Sequence, residues 1–198
     1  MNMTLKLFSI LLVTGLLVGC ASAPRTSQVL TSSSSNQQPG ELVIRSVAEG
    51  LRLANAASEP TASKILARTA RLALERGDLT TSYRLTETLT TDGLSKQEIS
   101  LLVLTKAQLA FSAGNTEAAL RLLTSESFNL LDLNQALQIE GSLLLADTYL
   151  ATNRFYASAR ERVLIHHLLE GAVQQANTNA IFETLLNLPT PILTAYAK

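Results

Sequence analysis

Three segments of this chain repeat one spacing. Ala70 leads to Gly77 and then Ser82, Ala107 to Gly114 and then Ala119, and Ala146 to Asn153 and then Ser158. In each, a small residue stands seven positions before a turn-forming residue and another five positions after it. Glycine takes the left-handed backbone conformation without steric cost and asparagine tolerates it, so each turn position predicts a helix stop. Small residues on both sides let the flanking helices approach closely. The turns fall at 77, 114 and 153, giving periods of 37 and 39 residues. Helix stops at that interval predict successive antiparallel hairpins of α-helix.

The middle hairpin is the clearest. Ser95 and Glu98 have capping-box spacing, in which the serine oxygen accepts from the backbone N–H three residues on and the glutamate reaches back, so a helix should start at Lys96. Ile99, Leu102, Val103, Ala107, Leu109 and Ala110 then recur at helical spacing and predict one apolar face up to Ala113. After Gly114-Asn115, Ala118, Ala119, Leu122 and Leu123 make a second stripe. The pattern resembles a degenerate tetratricopeptide solenoid, whose ideal period is about 34 residues. The expected fold class is therefore all-α, a right-handed α-solenoid of antiparallel helix hairpins.

The remaining periodicity adds helices on both sides. Glu41 to Ala57 reads as a helix ended by Ser58-Glu59-Pro60, and Thr61 reads as the cap of a helix running to Arg76. Lys64, Arg68, Arg71 and Glu75 form a stripe on it, either a docking surface for an acidic partner or, as is usual for such stripes, a solvated face. Leu79 to Thr91 is its partner helix, with Asp92-Gly93 as the next turn. Thr124 to Leu131 is a longer connection, Asp132 and Gln135 have capping spacing before a helix to Ala151, and Phe155 to Ala172 should be its partner. Asn177 to Leu188 predicts a further helix, Pro189 and Pro191 interrupt, and Ile192 to Ala197 reads as the start of another.

Lys+Arg and Asp+Glu are 16 each and Trp is absent, so the chain lacks both the electrostatic footprint and the stacking platforms of a nucleic-acid binder. The 46% hydrophobic content is enough for a packed core. Residues 1–19 read as an export leader: a short n-region with Lys6, then the apolar run Leu7 to Val18, too short for the roughly 20 residues that span a bilayer. Leu17-Val18-Gly19-Cys20 resembles the lipobox of bacterial lipoproteins, which implies cleavage before Cys20 and lipidation of its thiol. Cys20 is the only cysteine, so it has no disulfide partner within the chain. Ala21 follows it rather than Asp; the resemblance to Gram-negative sorting then implies a lipid anchor in the outer membrane, on the periplasmic side. Up to position 40 the chain is Ser-, Thr-, Gln- and Pro-rich, a linker that cannot bury enough surface to order itself, and 41–198 is the expected helical domain.

No constellation for catalysis is evident. His166 and His167 are adjacent, so on a helix they point about 100° apart and cannot grip one metal from a single face. The serine cluster lies in the linker, with no base to orient against it. Arg76-Gly77-Asp78 spells an adhesion tripeptide, but its glycine is a helix stop. The expectation is a non-enzyme with no catalytic residue, metal, cofactor or small-molecule substrate.

From Lys64 to Leu193 the sequence resembles the N-terminal helical domain of the penicillin-binding protein activator family of lipoproteins (LpoA, or LppC/YraM). The residues that carry this are Ala146-Asp147-Thr148-Tyr149-Leu150, Ala159-Arg160-Glu161-Arg162, Leu168-Leu169, and Asn177 to Pro189. In the last segment Asn177, Ala180-Ile181, Leu185, Leu188 and Pro189 fit the family pattern, with Phe182 where a Trp is commoner. The resemblance implies regulation of peptidoglycan synthesis through a class A penicillin-binding protein. It also implies that 41–198 stands for the first domain only, short of a second domain of periplasmic-binding-protein fold to which the activating contact is ascribed. A tetratricopeptide lipoprotein of outer-membrane protein assembly or of pilus and secretin assembly shares the generic features and is the alternative.

The lipobox carries the first prediction. Metabolic labelling with a palmitate analogue tags the unsubstituted chain and leaves Cys20→Ala unlabelled; equal labelling of both contradicts it.

Overall fold

The computed structural model describes residues 43–189; Cys20, its linker and Ile192 to Ala197 lie outside them. Every regular element among the described residues is helical. In chain order these are α1 Val47–Ala56, α2 Thr61–Glu75, α3 Leu79–Thr88, α4 Lys96–Ser112, α5 Thr116–Leu123, α6 Gln135–Ala151, α7 Phe155–Ile165 and α8 Gly171–Leu186, with 3-10 turns at Leu130–Asp132 and His166–Leu168.

The three repeated turns share one hydrogen-bond geometry. Gly77, Gly114 and Asn153 are left-handed, with φ of 78°, 79° and 59°. The amide of the next residue donates back across the helix end in each: Asp78 to the Ala73 carbonyl at 2.9 Å, Asn115 to Ala110 at 2.9 Å, and Arg154 to Tyr149 at 2.7 Å. This is the Schellman closure, which satisfies carbonyls that a helix end leaves unpaired. In the first two turns that same residue also starts the following helix, for Asp78 accepts from the Thr81 N–H at 3.0 Å and Asn115 from the Ala118 N–H at 3.2 Å. One residue thus ends one helix and begins the next, which leaves no slack in the hairpin. Hydrogen bonds from Thr81 hold the exposed Asp78 carboxyl below its ordinary range. Its contribution is therefore complete above that range and fades as pH falls through the lowered value.

All six small residues of the repeat, Ala70, Ser82, Ala107, Ala119, Ala146 and Ser158, are 0% exposed. Each hairpin, α2 with α3, α4 with α5 and α6 with α7, is closely packed, and consecutive hairpins meet through α2 and α3 against α4 and through α5 against α6. α1 packs on α2. There Gly50 is required by close approach, since a Cβ on it would overlap the Thr69 side chain. The larger core gathers Leu104, Ala107, Leu120, Leu123, Leu133, Leu144 and Leu145, and a smaller one joins Ala67, Leu89 and Leu102.

Several sequence expectations are corrected. α4 carries the predicted capping box and start, yet it is enclosed rather than amphipathic: Ser100, Leu104 and Thr105, off the predicted face, are fully buried because α2, α3, α5 and α6 surround it. α1 starts at Val47 rather than Glu41, because Ser46 accepts from the Glu49 N–H at 3.1 Å while the Glu49 carboxylate takes the Arg45 N–H at 2.8 Å. Thr61 is the first helical residue of α2, not its cap, and the Glu59 carboxylate receives the Ser63 N–H at 3.3 Å. α3 stops at Thr88, short of Thr91, where Leu89 turns extended and buries its side chain. Asn134 rather than Asp132 caps α6, accepting from the Leu137 N–H at 3.0 Å, while Asp132 closes a 3-10 turn. The helix expected from Phe155 to Ala172 breaks at Ile165: Leu169 leaves helical geometry to bury its side chain, Gly171 is left-handed at φ 54°, and α8 begins six residues before Asn177.

The seams generate a paired prediction. Ala107→Leu overpacks a closed seam and lowers stability by about 1–3 kcal/mol. Ser158→Ala is neutral or stabilising, because the buried Ser158 hydroxyl has no hydrogen-bond partner in the structure and an unsatisfied buried polar group costs about 1–3 kcal/mol. Chemical denaturation midpoints of the two variants check both signs.

Candidate interaction surfaces

The residues six positions before each turn are Arg71, Gln108 and Asp147, which the repeat places along the α2, α4 and α6 layer. Arg71 is 8% exposed, so the stripe of Lys64, Arg68, Arg71 and Glu75 is not a wholly solvated face. Its guanidinium donates from Nε to Glu75 Oε1 at 2.8 Å, from Nη1 to Gln108 Oε1 at 2.9 Å and from Nη2 to Glu140 Oε2 at 2.5 Å. Burial disfavours the charged form of Arg71, but Glu140 and Glu75 outweigh it and raise its pKa. That gain is complete below the unfolded value and is lost only above the raised folded one, in strong alkali. At the other end of the stripe Lys64 lies 3.8 Å from the Glu98 carboxylate of the α4 capping box.

A second polar node joins α6, α7 and α8. Arg162 pairs with Asp147 through Nη2 and donates from Nη1 to Asn177 Oδ1 at 3.3 Å, while the Asn177 amide nitrogen donates to the Arg162 carbonyl at 2.9 Å. Asn177 is 3% and Arg162 8% exposed. Arg160 pairs with Glu161 at the exposed rim. Asp147, Arg162 and Asn177 come from three separate segments of the chain, on α6, α7 and α8. The fold brings them into direct contact.

Beside this node, a groove between α7 and α8 of about 340 Å3 is lined by Val163, His166, His167, Thr178, Ile181 and Phe182. Its apolar lining has the chemistry to take an apolar side chain rather than a charged one. Val163 is 56% and Phe182 64% exposed, and Leu164 and Leu186 are exposed on the same two helices. The adjacent histidines fall in the 3-10 turn, not on a helix. Among the described residues no group of three or more His, Cys, Asp and Glu side chains could hold a metal ion. No described helix is long and apolar enough to cross a membrane. Cys20, the predicted lipidation site, lies outside the described residues.

No protein-family model, curated protein or solved structure matches this chain.

Only the Glu75 arm of the Arg71 cluster was legible in the sequence, as part of the charged stripe, because the two acceptors on other helices lie 37 and 69 residues away. The second node supplies a test. Asn177→Ala strands a buried carbonyl and a guanidinium edge and should destabilise by about 1–3 kcal/mol. Asn179→Ala, two residues on and exposed, should stay within about 0.5 kcal/mol. Urea denaturation compares them.

Proposed function

We propose that this chain is a lipid-anchored, non-catalytic α-solenoid of tetratricopeptide-like hairpins that binds and regulates a class A penicillin-binding protein from the outer-membrane side of the cell wall. The solenoid reading is supported by three hairpins closed by one turn geometry, each packed on its neighbour in the chain. Export and anchoring rest on the leader and the Leu17 to Cys20 lipobox. The observation that carries the functional reading is the Asn177 to Pro189 segment. Its first residue is the buried partner of Arg162, which in turn holds Asp147, so residues of the family-like stretches act as one structural unit. The sequence resemblance of Asn177 to Pro189 is what favours this reading over a generic helical repeat, whose apolar periodicity alone specifies no partner.

The mature, Cys20-anchored chain serves as bait in detergent extracts of its own cells. Recovery of a class A penicillin-binding protein supports the reading, with weak stimulation of glycan polymerisation by residues 41–198 alone. Recovery of a barrel-assembly or secretin component instead would favour the alternative scaffold. A bait that neither captures the synthase nor raises its polymerisation rate ends the activator reading.

A further inference from the structure

Arg71 holds three helices at once. Its three donors go to three helices: α2 itself through Glu75, α4 through Gln108 and α6 through Glu140. α2 packs on α1, α3 and α4, whereas α6 packs mainly on α7 and α5 and meets α4 only lightly, and α4 supplies the Gln108 acceptor between Arg71 and Glu140. The Arg71–Glu140 contact therefore spans from the first hairpin to the third. The inner hairpin interfaces are apolar and close-packed, whereas this tie across the layer is a single charge-assisted hydrogen bond.

The tie is also asymmetric. Glu140 holds Arg71 through Oε2 alone, while its Oε1 is buried without a hydrogen-bond partner. The Glu140 side chain is 30% exposed against 10% for Arg71, so Glu140 is the arm with room to swing outward. Within α2 the Glu75 arm is an i, i+4 pair that stays intact whatever the hairpins do.

We propose that the Arg71–Glu140 contact is a latch. Closed, it fixes the angle between the first and third hairpins and covers the α2–α4–α6 face; released, it lets the hairpins rotate about α4 and opens that face, with the helices themselves unchanged. The stored geometry is the curvature of the layer. Packed seams admit a few discrete crossing angles rather than a continuum, so release of the latch lets the stack settle at a second angle. This inference does not depend on the synthase as partner.

Spin labels at Thr61 in α2 and Ala136 in α6, both exposed, report the angle by pulsed dipolar distance measurement on the full chain with Cys20 replaced by alanine. The parent should give one narrow distribution. Glu140→Gln, which weakens the ionic arm, and Arg71→Lys, which keeps the charge but loses the fork, should both displace and broaden it at unchanged helical circular dichroism. Glu75→Gln should leave it in place. Distributions for Glu140→Gln and Arg71→Lys that superimpose on the parent overturn the latch, and so does equal broadening by Glu75→Gln, which would trace the effect to lost charge rather than to the tie across the layer.

Discussion

Close approach of two helices across a two-residue turn is the constraint on which this structure depends. A left-handed residue must end the first helix, the next residue must pair backward with it, and the helices then converge so tightly that only Ala or Ser fits between them. Gly77, Gly114 and Asn153 meet the first requirement, Asp78, Asn115 and Arg154 the second, and the buried alanines and serines around them the third. Ser82 and Ser158 show that size rather than polarity is what the seam demands, because each hydroxyl is buried with no hydrogen-bond partner in the structure. A fully buried seam that holds an orphan hydroxyl is governed by packing rather than by polarity.

Given those seams, the polar layer decides how hairpins relate to one another. The hydrophobic driving force is non-directional, and close packing narrows the helices to a few crossing angles without naming one. Arg71 and Arg162 supply direction: one guanidinium ties α2, α4 and α6, the other ties α6, α7 and α8. Both are largely buried and matched to carboxylates, and a planar fork suits such sites better than an ammonium would. Buried threonines fit the same interior without partners elsewhere, as Thr69, Thr105 and Thr148 each donate to a carbonyl four residues back.

Local rules made the hairpins legible in the sequence. The Ser95–Glu98 capping box and the three turns need only neighbours within a few residues, and they were found where the spacing placed them. Tertiary burial was less legible. α4 read as one apolar face because periodicity cannot reveal that four helices surround it, and Ser100 and Thr105 carry no apolar signal. The stripe containing Arg71 read most simply as solvated because its acceptors sit one and two repeats downstream. The break after Ile165 was missed because His166 to Leu168 continues helical periodicity, while burial of Leu169 turns the backbone aside. The apolar groove of α7 and α8 has no sequence signature apart from Phe182 within the family-like segment.

Small residues close the seams of the hairpins, and two arginines tie helices of different hairpins across them. The claim beneath it is that the three hairpins are one device used three times. Nuclear Overhauser contacts of the folded chain in solution test that most directly, between the methyl of Ala70 and the β-protons of Ser82, between the methyls of Ala107 and Ala119, and between the methyl of Ala146 and the β-protons of Ser158. The account predicts a cross-peak for all three pairs, together with the strong intraresidue amide-to-α contact of a positive φ at Asn153. A cross-peak for the central pair alone would contradict it.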